Sequence, residues 1–216
     1  MIADNISIIR SELPSDVTLV AVSKYYPASD ILQAYNAGQR VFGESRANEL
    51  REKYEQLPKD IQWHFIGHLQ KNKVKYIAPF VSLIHSVDNF ELLREINRQA
   101  LLSKRIIDYL LEFRIAEEDS KYGFKSANDV VEMLMSAEFG ALHNVRLRGV
   151  MGMATFTDNM SKIRNEFASL RSIAEQLSGI VSGRCEVSMG MSNDYKIAVE
   201  EGSTMIRIGS AIFDGD

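Results

Sequence analysis

Short apolar runs and segments of helical period alternate along the whole chain. Eight runs rich in β-branched and aliphatic residues span 17–22, 40–42, 62–66, 83–87, 107–115, 147–153, 186–189 and 205–208. Seven segments with apolar residues at helical spacing lie between or after them, at 29–37, 46–56, 70–77, 89–101, 127–139, 161–177 and 194–200. A repeated order of strand, turn and helix predicts a parallel sheet. We therefore predict one α/β domain, residues 1–216, folded as a (β/α)8 TIM barrel, with a doubly wound open sheet as the alternative.

Residue types at the predicted helix ends are consistent with this order. The predicted N-caps are Ser29, Asp88 and Asn193, and glycines follow two helical runs at Gly38 and Gly202. Only residues 210–216 follow the eighth strand, too few for a long closing helix. An early helix at 5–13 is therefore expected to cover the bottom or the flank of the barrel.

Composition excludes several classes of protein. The chain has 45% hydrophobic and 25% charged residues, which is typical of a globular protein with a large core. A formal net charge of -4 argues against a dedicated binder of nucleic acid or membrane surfaces. Cys185 is the only cysteine, and residues 1–16 lack the apolar run of a signal peptide. We expect a cytoplasmic protein with neither nucleic-acid nor membrane partners.

The first strand end carries a candidate nucleophile. Lys24 closes the run Val-Ala-Val-Ser-Lys and is followed by Pro27. In a barrel, the ends of strands and the loops after them form the functional face. A lysine in the barrel mouth is expected to be partly desolvated, which favours the neutral amine and its attack on an aldehyde. A solvated lysine at a strand end is the alternative that this segment leaves open.

The seventh and eighth strand ends carry Gly/Ser turns. The seventh reads Val-Ser-Met-Gly-Met-Ser-Asn-Asp and includes Ser188 and Ser192. The eighth reads Ile-Arg-Ile-Gly-Ser-Ala and includes Arg207, Gly209 and Ser210. Barrels commonly bind phosphate at these two ends through backbone N–H groups. Each turn alone is an ordinary loop, but together with a neighbouring lysine they predict a phosphate site beside an amine. No Walker-type or GxGxxG motif occurs.

The third strand end is rich in histidine and lysine. His64 and His68 lie four residues apart, but Gly67 places a turn between them, so we predict no metal site. Three lysines, Lys71, Lys73 and Lys75, form either a rim that attracts anionic ligands or RNA, or a solvated helix face.

Six segments together resemble one family, the pyridoxal phosphate homeostasis proteins, which are single-domain barrels similar to the N-terminal domain of bacterial alanine racemase. They are Val-Ala-Val-Ser-Lys-Tyr-Tyr at 20–26, Phe-Gly-Glu-Ser at 42–45, Trp-His-Phe-Ile-Gly-His-Leu-Gln-Lys-Asn-Lys at 63–73, Arg-Gly-Val-Met-Gly-Met at 148–153, Ser-Met-Gly-Met-Ser at 188–192 and Gly-Ser-Thr-Met-Ile-Arg-Ile-Gly-Ser-Ala-Ile-Phe at 202–213.

The resemblance implies a cofactor and a role for each matching residue. Lys24 would form a Schiff base with pyridoxal 5'-phosphate (PLP), and Ser192, Gly209 and Ser210 would hold its phosphate. Arg207 would face the pyridine nitrogen. Ser188, in the same segment as Ser192, is included among the predicted cofactor-binding residues.

The sequence departs from the family pattern at two positions. Ser45 stands where family members often have asparagine, which affects any side-chain contact to the substituents of the cofactor ring. His68 stands where they often have proline and adds a titratable group near the mouth of the pocket.

The residues also bear on catalysis. Enzymes that use the PLP ring as an electron sink usually place an acid beside its nitrogen, whereas an arginine favours an unprotonated ring. Alanine racemases also have an arginine there, but take a second base from a separate domain that this sequence, ending at Asp216, does not contain. We therefore predict a carrier or buffer of PLP in vitamin B6 and amino-acid homeostasis. It is expected to be a monomer with no catalytic residues, and to have PLP-dependent apoenzymes as partners.

Two enzymatic readings remain as alternatives. One is a PLP-dependent amino-acid racemase that uses Lys24 with His64, Tyr122 or a bound water. The other is a Schiff-base aldolase acting on a sugar phosphate without PLP, since that chemistry also needs a barrel lysine beside a phosphate site.

Overall fold

Eight parallel strands close into a barrel in chain order. The computed structural model describes residues 1–116, 122–181 and 183–214. The strands are β1 (Thr18–Val22), β2 (Val41–Glu44), β3 (Gln62–Phe65), β4 (Leu83–Val87), β5 (Ile107–Phe113), β6 (Val145–Gly152), β7 (Glu186–Ser188) and β8 (Met205–Ile208). Each strand pairs in parallel with the next, and β8 pairs with β1. The predicted TIM barrel is therefore confirmed, and the open sheet is wrong because both edges are paired.

Helices surround the barrel. Among the described residues they are α1 (Ile2–Glu12), α2 (Ala28–Asn36), α3 (Ala47–Gln56), α4 (Val74–Ile77), α5 (Phe90–Leu102), α6 (Ala127–Leu134), α7 (Ala137–Gly140), α8 (Met160–Leu177), α9 (Tyr195–Glu200) and α10 (Ser210–Phe213). A short 3-10 turn, Lys71–Lys73, precedes α4. The single helix predicted at 127–139 is two helices, because the Ser136 hydroxyl accepts the N–H of Phe139 and starts α7. Among the residues that the structure describes, no helix is long and apolar enough to span a membrane.

The predicted helix starts are wrong by one or two residues. The observed N-caps are Pro27, Asn89 and Asp194 in place of Ser29, Asp88 and Asn193. Asn89 is the cap because its side-chain oxygen accepts the N–H of Leu92 at 2.8 Å. The two glycines predicted to end helices do so, with φ of 91° at Gly38 and 92° at Gly202.

Helix α1 lies on the flank of the barrel. The side-chain amide of Asn5 donates to the carbonyl of Ile212 in α10 at 2.9 Å. Arg10 donates to the carbonyl of Gly38, just after α2, at 3.1 Å. Of the two expected positions for this helix, the structure therefore has the flank, between the elements that follow β8 and β1.

Side chains alternate between the two faces of each strand. On β8, Ile206 and Ile208 belong to the large core between sheet and helices. Met205 belongs to a smaller apolar cluster with Leu83, Leu110 and Met151. Because residues two apart share a face, Arg207 points to the same side as Met205, into the barrel. The barrel interior thus contains both apolar side chains and buried polar groups. The polar groups extend towards the carboxyl ends of the strands, where barrels carry their functional sites.

Candidate functional site

A cavity of about 650 Å³ opens at the carboxyl ends of the strands. Five of the six predicted cofactor residues line it, namely Lys24, Ser192, Arg207, Gly209 and Ser210. Ser188 does not line the cavity; it is completely buried beneath it. The closed barrel therefore brings together residues that are up to 186 positions apart in the sequence, Lys24 and Ser210.

Lys24 lies in the loop after β1, at the cavity wall. Lys24 is exposed, so the prediction that its side chain is partly desolvated is wrong in this structure. The reason is local: β1 ends at Val22, and Ser23 takes the next buried position instead. Among the described residues, the amine of Lys24 has no hydrogen-bond acceptor and no carboxylate partner. Its Nζ lies 5.8 Å from the centre of the Tyr25 ring.

A buried ion cluster holds the backbone on both sides of Lys24. The ammonium of Lys53 in α3 donates to the carbonyl of Ser23, to Glu44 Oε1 and to Glu49 Oε1, each at 2.7 Å. Glu49 Oε1 also accepts the N–H of Tyr25 at 2.9 Å. Tyr25 has a φ of 72°, a conformation that non-glycine residues rarely adopt. The cluster therefore fixes the turn that presents Lys24 to the cavity.

The two Gly/Ser turns lie side by side at the cavity. The hydroxyl of Ser210 lies 3.3 Å from that of Ser192. Within the described residues, the backbone N–H groups of Ser192 and Ser210 have no acceptor. The Ser192 turn is held by Asp194, whose Oδ1 accepts the N–H of Met191 at 2.6 Å. Hydroxyl groups and unpaired backbone N–H groups are donors with which proteins bind phosphate.

Arg207 enters the cavity from the barrel interior. Its guanidinium donates to the hydroxyl of Ser188 at 2.6 Å and to the carbonyl of Gly152 at 3.2 Å. Burial lowers the pKa of Arg207 to about 10, while Asp194 and Glu112 oppose the shift. The usual pKa of arginine is above 12, so this value is lowered, but the guanidinium stays charged at neutral pH. Arg207 therefore supplies a positive charge and hydrogen-bond donors to the cavity.

Glu112 adds a carboxyl group to the cavity wall. Its side chain is 8% exposed, and it makes no hydrogen bond or ion pair with the described residues. Burial, with the charge of Asp88, raises the pKa of Glu112 to about 7, and the charge of Arg207 opposes this. Glu112 is therefore a proton acceptor or donor poised near neutral pH inside the cavity.

The remaining residues of the third strand end separate in space. His68 lines the cavity, stacks on Tyr122 at 3.8 Å between ring centres and lies 3.5 Å from Asp88. Ser45, directly after β2, also lines the cavity. His64 does not: it is buried and borders a different cavity, of about 240 Å³, at the amino ends of the strands. The suggestion that His64 acts with Lys24 as a racemase base is therefore wrong in geometry.

Lys71 and Lys75 of the lysine rim are exposed, and Lys73 is half-buried. Lys71 forms an ion pair with Glu91 at 2.6 Å between two largely solvated side chains. Lys73 and Lys75 lie 5.6 Å and 5.1 Å from the ring centre of Tyr76. Within the residues that the structure describes, no group of three His, Cys, Asp or Glu side chains is arranged to hold a metal ion.

The sequence analysis missed three groups in or beside this site. They are Lys53, Glu112 and His85, whose Nδ1 lies 2.9 Å from the hydroxyl of Ser188 beneath the cavity. Lys53 left a signal, because it stands on the apolar face of α3 four residues after Glu49. Glu112 and His85 are polar residues inside apolar strands, and both are buried. A polar residue at an inward position of a barrel strand is the pattern that could have found them.

Comparison with known proteins places the chain in a family. The sequence model of the family described as "Alanine racemase, N-terminal domain" matches residues 1–216. The chain belongs to this family. A relative from Aquifex aeolicus, named pyridoxal phosphate homeostasis protein, is 37% identical over 199 residues, covering 90% of this chain and 85% of the relative. The family resemblance seen in the sequence motifs is confirmed.

Solved structures agree with this assignment. PipY of Synechococcus elongatus PCC7942, solved with PLP bound, has a TM-score of 0.88 and 35% identity, and the match covers 99% of this chain and 100% of PipY. Alanine racemase of Clostridium difficile 630 has a TM-score of 0.76 and 14% identity, covering 98% of this chain and 55% of the racemase. At that identity the second match shows a shared fold alone.

Proposed function

We propose that this protein binds PLP covalently and reversibly through Lys24 and acts as a carrier or buffer of the cofactor in vitamin B6 and amino-acid homeostasis. The observation that carries the proposal is a single cavity lined both by Lys24 and by the two Gly/Ser turns. Within the described residues, the Lys24 amine has no hydrogen-bond acceptor or carboxylate partner, and the turns offer hydroxyls and unpaired N–H groups. An amine and a phosphate site are the two features that PLP needs. The names of the relatives and the PLP bound to PipY support the same reading.

The residues present fit the cofactor. Lys24 would supply the amine that forms the Schiff base, and Ser192, Gly209 and Ser210 would hold the phosphate. Lys53, the buried lysine nearest this turn, is unsuited to the first role because its three ammonium hydrogens already have acceptors. Arg207 would donate to the ring nitrogen from the barrel side, with Ser188 holding it from below.

We further propose that the protein has no efficient turnover of its own. PLP supplies an electron sink when its ring nitrogen is protonated, and enzymes that depend on this place an acid beside the nitrogen. Arg207 is a hydrogen-bond donor that keeps its proton at neutral pH, so it favours an unprotonated ring and a weaker sink. The relatives are named for homeostasis rather than for a reaction.

The proposal extends to partners and assembly. Every residue given a role above comes from one chain, so we propose that a monomer is sufficient for binding. A buffer that releases PLP serves PLP-dependent apoenzymes as recipients, and we propose the cytoplasm as its compartment. Light scattering at several concentrations tests the monomer; a dimer that persists on dilution would contradict it.

A titration with PLP tests the binding proposal. Wild-type protein should develop the absorbance band of a PLP Schiff base, saturating at one PLP per chain. Lys24→Ala should develop no such band, while Lys71→Ala, which changes an exposed lysine outside the cavity, should behave as wild type. A band of equal intensity in Lys24→Ala would overturn the proposal.

A further inference from the structure

A continuous hydrogen-bonded chain runs down the barrel interior from Arg207. Arg207 lies 2.6 Å from the hydroxyl of Ser188, and that hydroxyl lies 2.9 Å from Nδ1 of His85. Nε2 of His85 then lies 3.0 Å from Nδ1 of His64. All four side chains are buried, with exposures of 0% to 5%. The four residues come from β8, β7, β4 and β3, so the chain crosses the barrel.

Donor and acceptor chemistry gives this chain one direction. A guanidinium has donors only, so the Ser188 oxygen must accept from Arg207. The hydroxyl hydrogen of Ser188 is then free to donate to Nδ1 of His85. With Nδ1 as the acceptor, a neutral His85 carries its proton on Nε2 and donates it to Nδ1 of His64. His64 therefore also carries its proton on Nε2.

Both histidines are suited to remaining neutral. Burial lowers the pKa of His64 to about 3. Burial, followed by the neighbouring His64 and the positive charge of Arg207, lowers the pKa of His85 well below its usual range. The hydrogen-bonded chain ends at His64, which borders the cavity at the amino ends of the strands. The permanent positive charge of Arg207 thus orients the three neutral groups that follow it, namely Ser188, His85 and His64.

We propose that His85 is a positioning residue for Arg207: it fixes the hydroxyl of Ser188 so that its lone pairs face the guanidinium, and His64 in turn fixes the ring of His85. This inference rests on the proposed function, because it assigns the chain the task of orienting the charge that meets the cofactor ring. A serine without an acceptor for its hydrogen can rotate, and Arg207 then loses a fixed partner.

The first test uses the cofactor-free protein. Nitrogen-15 NMR of histidine side chains should find His85 and His64 both neutral, both protonated on Nε2 and both unchanged between pH 5 and pH 8. Protonation of His85 on Nδ1, or its titration in this range, would overturn the proposed direction of the chain. This result does not depend on PLP, so it separates failure of the inference from failure of the proposed function.

The second test compares two variants of the same residue. His85→Asn keeps an acceptor near the place of Nδ1, whereas His85→Leu removes it. We expect His85→Leu to weaken PLP binding about tenfold and to shift the absorbance band of the bound cofactor and its pH dependence. His85→Asn should restore the wild-type band and most of the affinity.

A matched control separates this effect from damage to the core. Tyr109→Phe removes a buried hydroxyl that has no partner in the described structure and lies outside the chain. It should leave the band of bound PLP unchanged. Equal spectra for His85→Leu, His85→Asn and wild type would overturn the proposal, as would equal shifts in both His85 variants.

Discussion

The ammonium of Lys53 lies 2.7 Å from the carbonyl oxygen of Ser23, the residue immediately before Lys24. Through this bond, a buried side chain on α3 holds the backbone next to the lysine that we propose as the PLP amine. The same ammonium binds Glu44 and Glu49, so one cation is shared by three acceptors. The backbone beside Lys24 is thus held by a side chain that does not line the cavity.

Lys53→Met should destabilise the fold strongly. The substitution leaves the completely buried Glu44 without its counter-ion, and breaking a buried pair costs about 3 to 5 kcal/mol. The measurement is the free energy of unfolding in urea. Lys71→Met removes an exposed pair with Glu91 and should cost less than about 1 kcal/mol. Equal small losses in both variants would contradict the assigned role of the cluster.

The proposed phosphate site and Arg207 should affect bound PLP differently. Ser210→Ala removes one hydroxyl from that site and should weaken PLP binding about tenfold, with an unchanged absorbance band. Arg207→Gln removes the charge and should alter the band and its pH dependence. A titration with PLP measures the affinity of each variant, and absorbance spectra of the bound fraction measure the band. Superimposable spectra for the two variants would mean that Arg207 does not face the ring nitrogen.

Glu112 should make stability depend on pH. The ordinary pKa of this carboxyl is 4.5, as in the unfolded chain, and in the fold burial raises it to about 7. A raised pKa means that its contribution is fully present below pH 4.5 and is lost as the pH rises through 7. Relative to wild type, Glu112→Gln should therefore gain stability across this window, by at most about 3 kcal/mol. Denaturation at pH 5, 6, 7 and 8 measures it, and a constant difference would contradict the raised pKa.

Amino-acid racemisation should be slow. Because Arg207 favours an unprotonated ring, the PLP-loaded protein should turn over alanine far below the median enzyme rate of about 10 per second. Chiral chromatography after long incubation measures the product. A rate near that median would support the racemase alternative and contradict the proposal that the protein is a carrier.

The fold was predictable because the sequence pattern is local and repeated. All eight strands were found, with errors at their ends, since an apolar run bounded by turn residues is a strong signal. Helix starts were less certain. Asp88 and Asn89 are both good caps, and only tertiary structure decides between them: Asp88 lies beside His68, and Asn89 caps α5.

The site was predictable only in part. Lys24, Ser192 and Ser210 stand at strand ends, where barrels carry their functional residues, and the family resemblance implies the roles that we propose for them. Lys53 and His85 act through neighbours that are 30 and 103 positions away, Ser23 and Ser188. No local pattern encodes contacts of that range, because they arise only when the barrel closes.

The most direct test of the account is the identity of the modified lysine. Borohydride reduction of the PLP-loaded protein converts a Schiff base into a stable secondary amine that survives digestion. Peptide mapping by mass spectrometry should then find the pyridoxyl group on Lys24 alone, at close to one per chain. Modification of Lys53, of Lys71 or of several lysines with Lys24 unmodified would contradict the central claim.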